Sequence, residues 1–233
     1  MSKYIIHACP KRMWYVEKYL VPSLEAQGIE KDKISIRCDK YGIGNLRKCM
    51  EIFQSMRDDG GAWHLQDDIV VCHDFKERTT IERDRVICGF SWKKDANLSN
   101  IGYVSPDKMW WSFPCIYIPN YMARECASWF YNFAKDDPKY VLWAIQKQYD
   151  DYFFREFLKS TYPDKKILNL SPNLVDHIDY LIGGTTLKVV KKDKILRSAS
   201  FLDTYLVDEL VDRLQAEGEI NDIRAEPSFW LPD

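Results

Sequence analysis

Paired acids and one histidine are the residues of this sequence that could do chemistry. Asp67 and Asp68 follow an apolar stretch, Asp150 and Asp151 precede an aromatic-rich one, and His177 ends the segment PNLVDH. Carboxylates are costly to bury unless a positive group meets them. Asp67 and Asp68 could therefore bind a metal ion, exchange a proton or only form a turn. Asp150 and Asp151 could equally cap a helix, and His177 could be a structural histidine.

The N-terminal part of the chain, up to residue 75, alternates between strand and helix patterns. Strands are predicted at residues 4–9, 34–39 and 63–66. One helix is predicted over 12–27, with an interruption near Pro22, and a second begins after the expected N-cap Asn45. This alternation predicts a parallel sheet with helices on its faces. Ligands of such open sheets bind beyond the carboxyl ends of the strands. We therefore expect Asp39, Asp67 and Asp68 to face one crevice.

The rest of the chain continues to mix the two kinds of element. Helices are predicted over 74–85, 120–134 and 201–214, and another begins at residue 152. Strands are predicted over 86–90 and 167–170, and a further strand ends at Pro119. No linker-like change of composition divides the chain. The sequence thus predicts a single α/β domain.

The bulk composition excludes several classes of function. The chain has 233 residues and a formal net charge of -2, which gives no overall electrostatic case for binding nucleic acid. Its seven cysteines are scattered and never in CxxC spacing, a pattern typical of reduced thiols. The N-terminal stretch lacks the apolar core of a signal peptide, and no apolar run is long enough to span a bilayer. We expect a cytoplasmic protein.

The order of the acidic and histidine segments resembles that of GT-A nucleotide-sugar glycosyltransferases. HLQDDI (64–69) is similar to their "DXD" carboxylate motif, and PNLVDHI (172–178) to a late "PSLVQHIG"-like segment. The likeness covers residues 3–200, although only these two short motifs are specific. It departs from the family at Gln66, where an acid is usual. The resemblance implies a GT-A-like single domain. It would have a Rossmann-like αβα nucleotide-binding half (1–75) with a mixed central sheet, an acceptor-side catalytic half (76–200), and a C-terminal helix and tail (201–233).

The activity that this resemblance implies is metal-dependent transfer of a sugar from a nucleotide-diphosphate donor, a UDP-sugar, to a hydroxyl acceptor. Carboxylates repel a diphosphate unless a hard divalent cation bridges them, and imidazole ligation favours Mn²⁺ over Mg²⁺. Asp68 and His177 would bind the metal. The implied nucleotide-sugar contacts are Asp67, Gln66, Asp39 at the nucleoside, and Arg12, Arg47 and Arg197 at the diphosphate. Each of these arginines could instead be an ordinary surface charge.

The acceptor side of the implied reaction depends on its stereochemistry. If the reaction inverts the anomeric centre, a general base is needed, and we expect Asp151 in that role, with Asp150 as the second choice. If it retains configuration, the pair would only position substrate. Trp110, Trp111 and Phe113 could form a stacking platform for the acceptor, or could fold back onto the core.

Three other functions are alternatives, and the third is the weakest. A DNA-base glycosyltransferase could contact phosphates through KVVKKDK (188–194) and Lys165–Lys166, although such runs are usually solvated. A non-catalytic nucleotide- or carbohydrate-binding protein would explain Gln66. A metal-dependent phosphohydrolase or nuclease would need more acids on neighbouring strands than the sequence supplies.

Overall fold

A mixed seven-stranded sheet forms the centre of the described chain. The structure is a computed structural model, and it describes residues 3–57, 59–80, 84–91, 102–106, 113–147, 149–183, 198 and 200–220. The α/β class predicted from the sequence is confirmed. None of the described helices is long and apolar enough to cross a membrane.

The strands fall into two sheets. They are β1 (Lys3–Ala8), β2 (Ile34–Cys38), β3 (Gly61–Gln66), β4 (Ile69–Val71), β5 (Ile87–Cys88), β6 (Gly102–Val104), β7 (Cys115–Pro119), β8 (Ile167–Asn169) and β9 (Val175–His177). The large sheet has the order β2-β1-β3-β7-β5-β8-β6, and β4 pairs with β9 separately. β1 runs parallel to β2 and β3, as predicted, and β5 runs parallel to β8. β7 is antiparallel to both β3 and β5, β6 to β8, and β4 to β9.

The helices are as follows. They are α1 (Met13–Tyr15), α2 (Val21–Ala26), α3 (Asn45–Ser55), α4 (Phe75–Thr79), α5 (Asn120–Asp136), α6 (Pro138–Lys147), α7 (Asp150–Thr161), α8 (Asp179–Ile182) and α9 (Thr204–Ala216). A π-helical turn, Val16–Leu20, joins α1 to α2, so the predicted N-terminal helix is interrupted just before Pro22. Pro22 is the second residue of α2, which follows the π-helical turn directly, so its missing N–H leaves one hydrogen bond of the helical run unmade.

The side chains of the central strands alternate between two apolar cores. Tyr4, Ile6 and Leu65 belong to one core, together with residues of the N-terminal helices and α9. Ile5 and Ala62 belong to the other, together with residues of α3, α5 and α7. Because successive side chains of a strand point to opposite faces, the two cores lie on the two sides of the sheet. Burial on both faces explains why these strands read as short apolar runs.

Several predicted element boundaries were wrong. Asn45 is the first residue of α3 rather than its N-cap, because residue 44 has φ 93°, a backbone conformation that suits glycine. Of the helix predicted over 74–85, the described residues contain Phe75–Thr79. A helix beginning at Pro138 was not predicted, although proline is favoured in the first turn of a helix.

Candidate functional site

Asp67 and Asp68 form the two-residue connection between β3 and β4. β3 ends at Gln66 and β4 begins at Ile69, so the acids lie just beyond the carboxyl end of a central strand. Both are buried, with only 2% of Asp67 and 4% of Asp68 exposed. A simple solvated turn is therefore wrong for this pair, and the two charges need partners within the protein.

Arg12 supplies the positive charge that meets both acids. It ends the short turn Pro10–Arg12 that follows β1, and 8% of its surface is exposed. Its Nη2 lies 2.8 Å from Asp67 Oδ1, while its Nη1 donates to Asp68 Oδ2. The guanidinium that we expected at a diphosphate thus spans the two carboxylates in the structure. Such a fork is the geometry for which arginine is suited.

Main-chain contacts fix the positions of the two acids. The N–H of Cys9, at the end of β1, donates to Asp67 Oδ2 at 2.6 Å. The N–H of Ile178 donates to the main-chain oxygen of Asp68 at 2.8 Å. Tyr15 donates its hydroxyl to the carbonyl oxygen of Ile69 at 2.7 Å. The connection is therefore held from β1, from the first helical turns and from the C-terminal half of the chain.

His177 reaches the acids through the small second sheet. It is paired with Ile69 across β4 and β9, and its Nε2 lies 3.2 Å from Asp68 Oδ2. β9 is held in place by the segment that precedes it: the N–H of Leu174 donates to the carbonyl oxygen of Gly89 at 2.7 Å. A Cβ at residue 89 would lie 2.9 Å from Leu174 Cδ1, so glycine permits this close approach. The predicted pair Asp68 and His177 is thus brought together.

Asp179 faces the other nitrogen of the imidazole. Its Oδ1 lies 3.3 Å from His177 Nδ1, an ionic contact rather than a well-directed hydrogen bond. Carboxylates in this position orient histidines that bind metal ions. Our interpretation of the sequence missed Asp179, although it follows His177 by two residues at the end of a strand.

Three buried polar atoms at this site lack a hydrogen bond within the described residues. They are Arg12 Nε, Asp68 Oδ1 and His177 Nδ1. An unsatisfied buried polar atom is rare in native proteins and costs about 1–3 kcal/mol. Three such atoms therefore lie in neighbouring side chains at this site, where a ligand or a water molecule would satisfy them.

The buried charges shift one another's protonation. Burial, reinforced by Asp68, raises the pKa of Asp67 to about 6 against the opposing effect of Arg12. Burial would also raise the pKa of Asp68, but His177 and Arg12 lower it well below its usual range. For His177, burial works against the charged form, but Asp68 outweighs it and raises the pKa to about 9. Without a metal ion, the imidazole therefore carries a proton at neutral pH.

A second acidic group lies around the N-terminus of α3. Asp39 accepts hydrogen bonds from the N–H groups of Ile43 at 3.0 Å and Gly44 at 2.8 Å, and so shapes the loop that leads into α3. Asn45 Nδ2 donates to Asp150 Oδ2 at 2.8 Å. The main-chain N–H of Asp39 donates to the carbonyl oxygen of Ala8 at 2.8 Å. Ala8 precedes Cys9, whose N–H donates to Asp67. Asp39 and Asp67 therefore flank the end of β1.

Asp150 and Asp151 begin α7 and differ in exposure. Asp150 is 4% exposed, whereas Asp151 is half-buried. Burial, with the charge of Asp151, raises the pKa of Asp150 to about 8. Burial raises that of Asp151 to about 6. At neutral pH Asp151 is thus the ionised member, and its pKa lies in the range that suits a general base.

The remaining predicted site residues lie elsewhere. Phe113 is 3% exposed and packs against Phe53 and Phe154, with ring centroids 6.4 and 5.6 Å away, so its ring offers no open face for stacking. Arg47 lines a groove of about 430 Å³ between α3, α5 and α6, whose lining does not include the acids contacted by Arg12. Gln66 is paired with His7 at the end of β3. Trp110, Trp111 and Arg197 lie outside the described residues.

Two places in the described chain could be considered for a metal ion. Potential ligand atoms of Cys72, Asp74 and Asp203 lie within 4.8 Å of one another. There burial raises the pKa of the Cys72 thiol to about 12, which opposes metal binding, and Arg78 Nη1 already lies 3.9 Å from its sulfur. Asp68 and His177 also have a competing arginine and a competing proton, but Asp68 Oδ1 is a buried carboxylate oxygen without a hydrogen bond in the described structure, and an imidazole nitrogen faces the same carboxylate.

All seven cysteines lie in the described part of the chain, and each is a free thiol. This agrees with the prediction of reduced cysteines. The most buried of them, including Cys49, Cys115 and Cys126, belong to the two apolar cores, and burial raises their pKa. They serve packing rather than chemistry.

Comparison with known proteins does not supply a family for this chain. No known protein family matches the sequence, and no curated protein does either. The likeness to GT-A glycosyltransferases therefore remains a prediction from two short motifs.

Proposed function

We propose that this protein is a metal-dependent glycosyltransferase of GT-A type that transfers a sugar from a nucleotide-diphosphate donor, a UDP-sugar, to a hydroxyl acceptor. The observation that carries the proposal is the meeting of Asp68 and His177. Their side chains come from distant parts of the chain, lie 3.2 Å apart and leave Asp68 Oδ1 buried without a hydrogen bond in the described structure. They lie beyond the carboxyl end of β3, the edge where open α/β sheets bind ligands.

The number of protein ligands favours a metal ion that arrives with phosphate. Asp68 and His177 would hold the cation, and two residues leave most of its coordination sites free. Hard divalent cations are often bound by one or two protein ligands together with substrate phosphates. An imidazole ligand favours Mn²⁺ over Mg²⁺. When bound, the cation would stabilise charge on the diphosphate leaving group.

The other candidate residues have roles consistent with this reaction. Asp67, held by Cys9 N–H at 2.6 Å, would contact hydroxyls of the donor sugar or metal-bound water. Asp39 and the loop it shapes would contact the nucleoside. Asp151 would accept the proton of the acceptor hydroxyl if the reaction inverts configuration, because its pKa of about 6 leaves it ionised at neutral pH.

One observation favours a second candidate, a non-catalytic nucleotide- or carbohydrate-binding protein. Arg12 already neutralises both acids, and a buried arginine–carboxylate network can be purely structural. The DNA-directed alternative gains no support. Lys165 Nζ lies 2.6 Å from the Tyr121 hydroxyl and 3.6 Å from Asp84, and the run 188–194 lies outside the described residues.

Thermal unfolding with ligands tests the proposal. UDP with Mn²⁺ at saturating concentration should raise the Tm by about 5 °C relative to UDP with a chelator. Asp68→Ala should abolish this shift, and Asp208→Ala, which removes an exposed acid of α9, should retain it. Absence of any metal-dependent shift in the wild-type protein would reject the proposal. Slow hydrolysis of a UDP-sugar by the wild type would exclude the non-catalytic candidate.

A further inference from the structure

Arg12 contacts the acid pair in a way that differs from a surface ion pair. Its guanidinium reaches Asp67 Oδ1 at 2.8 Å and Asp68 Oδ2, and none of the three side chains is more than 10% exposed. Two adjacent carboxylates cannot be buried together without a compensating charge. In the metal-free protein, Arg12 therefore performs the electrostatic role that a bound cation would perform.

The oxygen that Arg12 contacts is also the oxygen that faces His177. Asp68 Oδ2 accepts from Arg12 Nη1 and lies 3.2 Å from His177 Nε2. A cation held by Asp68 and His177 would therefore lie close to the guanidinium. A divalent cation at Asp68 would place two further positive charges beside the guanidinium, and little water screens the repulsion between them. Arg12 and the metal ion consequently compete for Asp68.

The remaining contacts allow Arg12 to leave Asp68. Asp67 keeps a hydrogen bond from Cys9 N–H at 2.6 Å, so it does not lose every partner when the guanidinium moves. Arg12 also has a buried Nε donor that finds no acceptor in the described structure. A guanidinium carries paired donors that match the oxygens of a phosphate group.

From these contacts we infer that Arg12 is an exchangeable counter-ion of the site. It holds Asp67 and Asp68 while no metal is bound, yields Asp68 to the incoming cation, and then binds oxygens of the diphosphate. This inference rests on the proposed function, since it requires a metal ion and a diphosphate. It adds that metal binding and diphosphate binding are coupled through one arginine.

Mn²⁺ affinity of the full chain without nucleotide tests the exchange, with free Mn²⁺ measured by electron paramagnetic resonance. Arg12→Gln should bind Mn²⁺ about tenfold more tightly than the wild type, because the competing charge is gone. At saturating Mn²⁺ the same variant should bind UDP about tenfold more weakly. Arg124→Gln is the matched control, since Arg124 donates to the carbonyl oxygen of Met56 at 3.1 Å and should leave both affinities unchanged.

A second variant covers the case in which Arg12→Gln does not unfold cooperatively. The ammonium of Arg12→Lys cannot span both carboxylates, so it should release Asp68 more easily and raise Mn²⁺ affinity about threefold. Mn²⁺ affinity equal to or below that of the wild type in the folded variants would overturn the inference while leaving the proposed function intact. If neither the wild type nor any variant binds Mn²⁺, the proposed function fails, and the inference fails with it.

Discussion

Asp179 Oδ1 lies 3.3 Å from His177 Nδ1, while the other nitrogen of the same imidazole faces Asp68. The ring is therefore held between two carboxylates, one of which is the expected metal ligand. If His177 bound a metal ion through Nε2, its remaining proton would lie on Nδ1, and the charge of Asp179 beside Nδ1 would favour that tautomer. Asp179 is thus a positioning residue for His177.

Asp179→Asn should lower the affinity for Mn²⁺ by roughly 10- to 100-fold, the usual effect of removing such an orienting carboxylate. The amide keeps the size of the side chain but loses the charge that holds the Nδ1 proton. Asp208→Asn, at an exposed position of α9, provides the control for loss of an acid elsewhere. An unchanged Mn²⁺ affinity in Asp179→Asn would show that the contact is structural.

The stability of the metal-free protein should fall as the pH rises through the range in which His177 loses its proton. The pKa of His177 is raised from 6.5 to about 9 by Asp68, which outweighs the opposing effect of burial. Below pH 6.5 the imidazole is protonated in both the folded and the unfolded protein, so the full stabilisation is present. Between pH 6.5 and about 9 only the folded protein holds the proton, and the free energy of unfolding decreases by up to about 3 kcal/mol.

Urea unfolding at several pH values in the presence of a chelator measures this effect. The difference between wild type and His177→Gln isolates His177 from Asp150, whose pKa of about 8 also lowers stability as the pH rises. If the two proteins have parallel pH profiles between pH 6.5 and 9, the imidazole does not hold the proton.

The sequence was sufficient to predict the central strands and the edge at which the acids lie. Short apolar runs separated by helical periodicity reveal β1, β2 and β3, and parallel pairing follows from the helices between them. The pairing of β4 with β9 could not be predicted in the same way. Each strand has three residues, and they pair across about half of the chain, so local periodicity carries no signal for them.

The types of residue at the site could be predicted from the sequence, but the contacts between them could not. Local patterns identify Asp68, His177 and Arg12 as charged or ligating groups. They do not show that the Arg12 side chain contacts Asp67 and Asp68. That contact depends on the position of the turn after β1 relative to the β3–β4 connection, which local patterns do not determine. The same limit applies to Phe113, since an aromatic residue in an aromatic-rich loop sequence can equally face solvent or the core.

Phe113→Ala should cost about 3–5 kcal/mol of folding free energy, as expected for an aromatic side chain removed from a packed core. Phe113 is 3% exposed and lies between Phe53 and Phe154. Leu202→Ala, at a position that is 74% exposed, should cost less than about 0.5 kcal/mol. Urea unfolding of the three proteins measures the difference. A loss of acceptor binding without loss of stability in Phe113→Ala would restore its predicted role as a stacking platform.

Asp151→Asn should lower sugar transfer by at least about 100-fold while leaving UDP and Mn²⁺ binding unchanged, because only proton transfer from the acceptor is removed.

Asp150→Asn is the matched comparison. Its carboxyl is buried, accepts from Asn45 at 2.8 Å, and has a pKa that burial raises to about 8, which makes it the less available base of the two. Asp150→Asn should therefore keep most of the transfer rate and flatten the loss of stability between pH 4 and 8, the range over which its folded-state proton is retained. Initial rates with a UDP-sugar and urea unfolding measure the two effects. Full transfer by Asp151→Asn would exclude Asp151 as the base and favour a reaction that retains configuration.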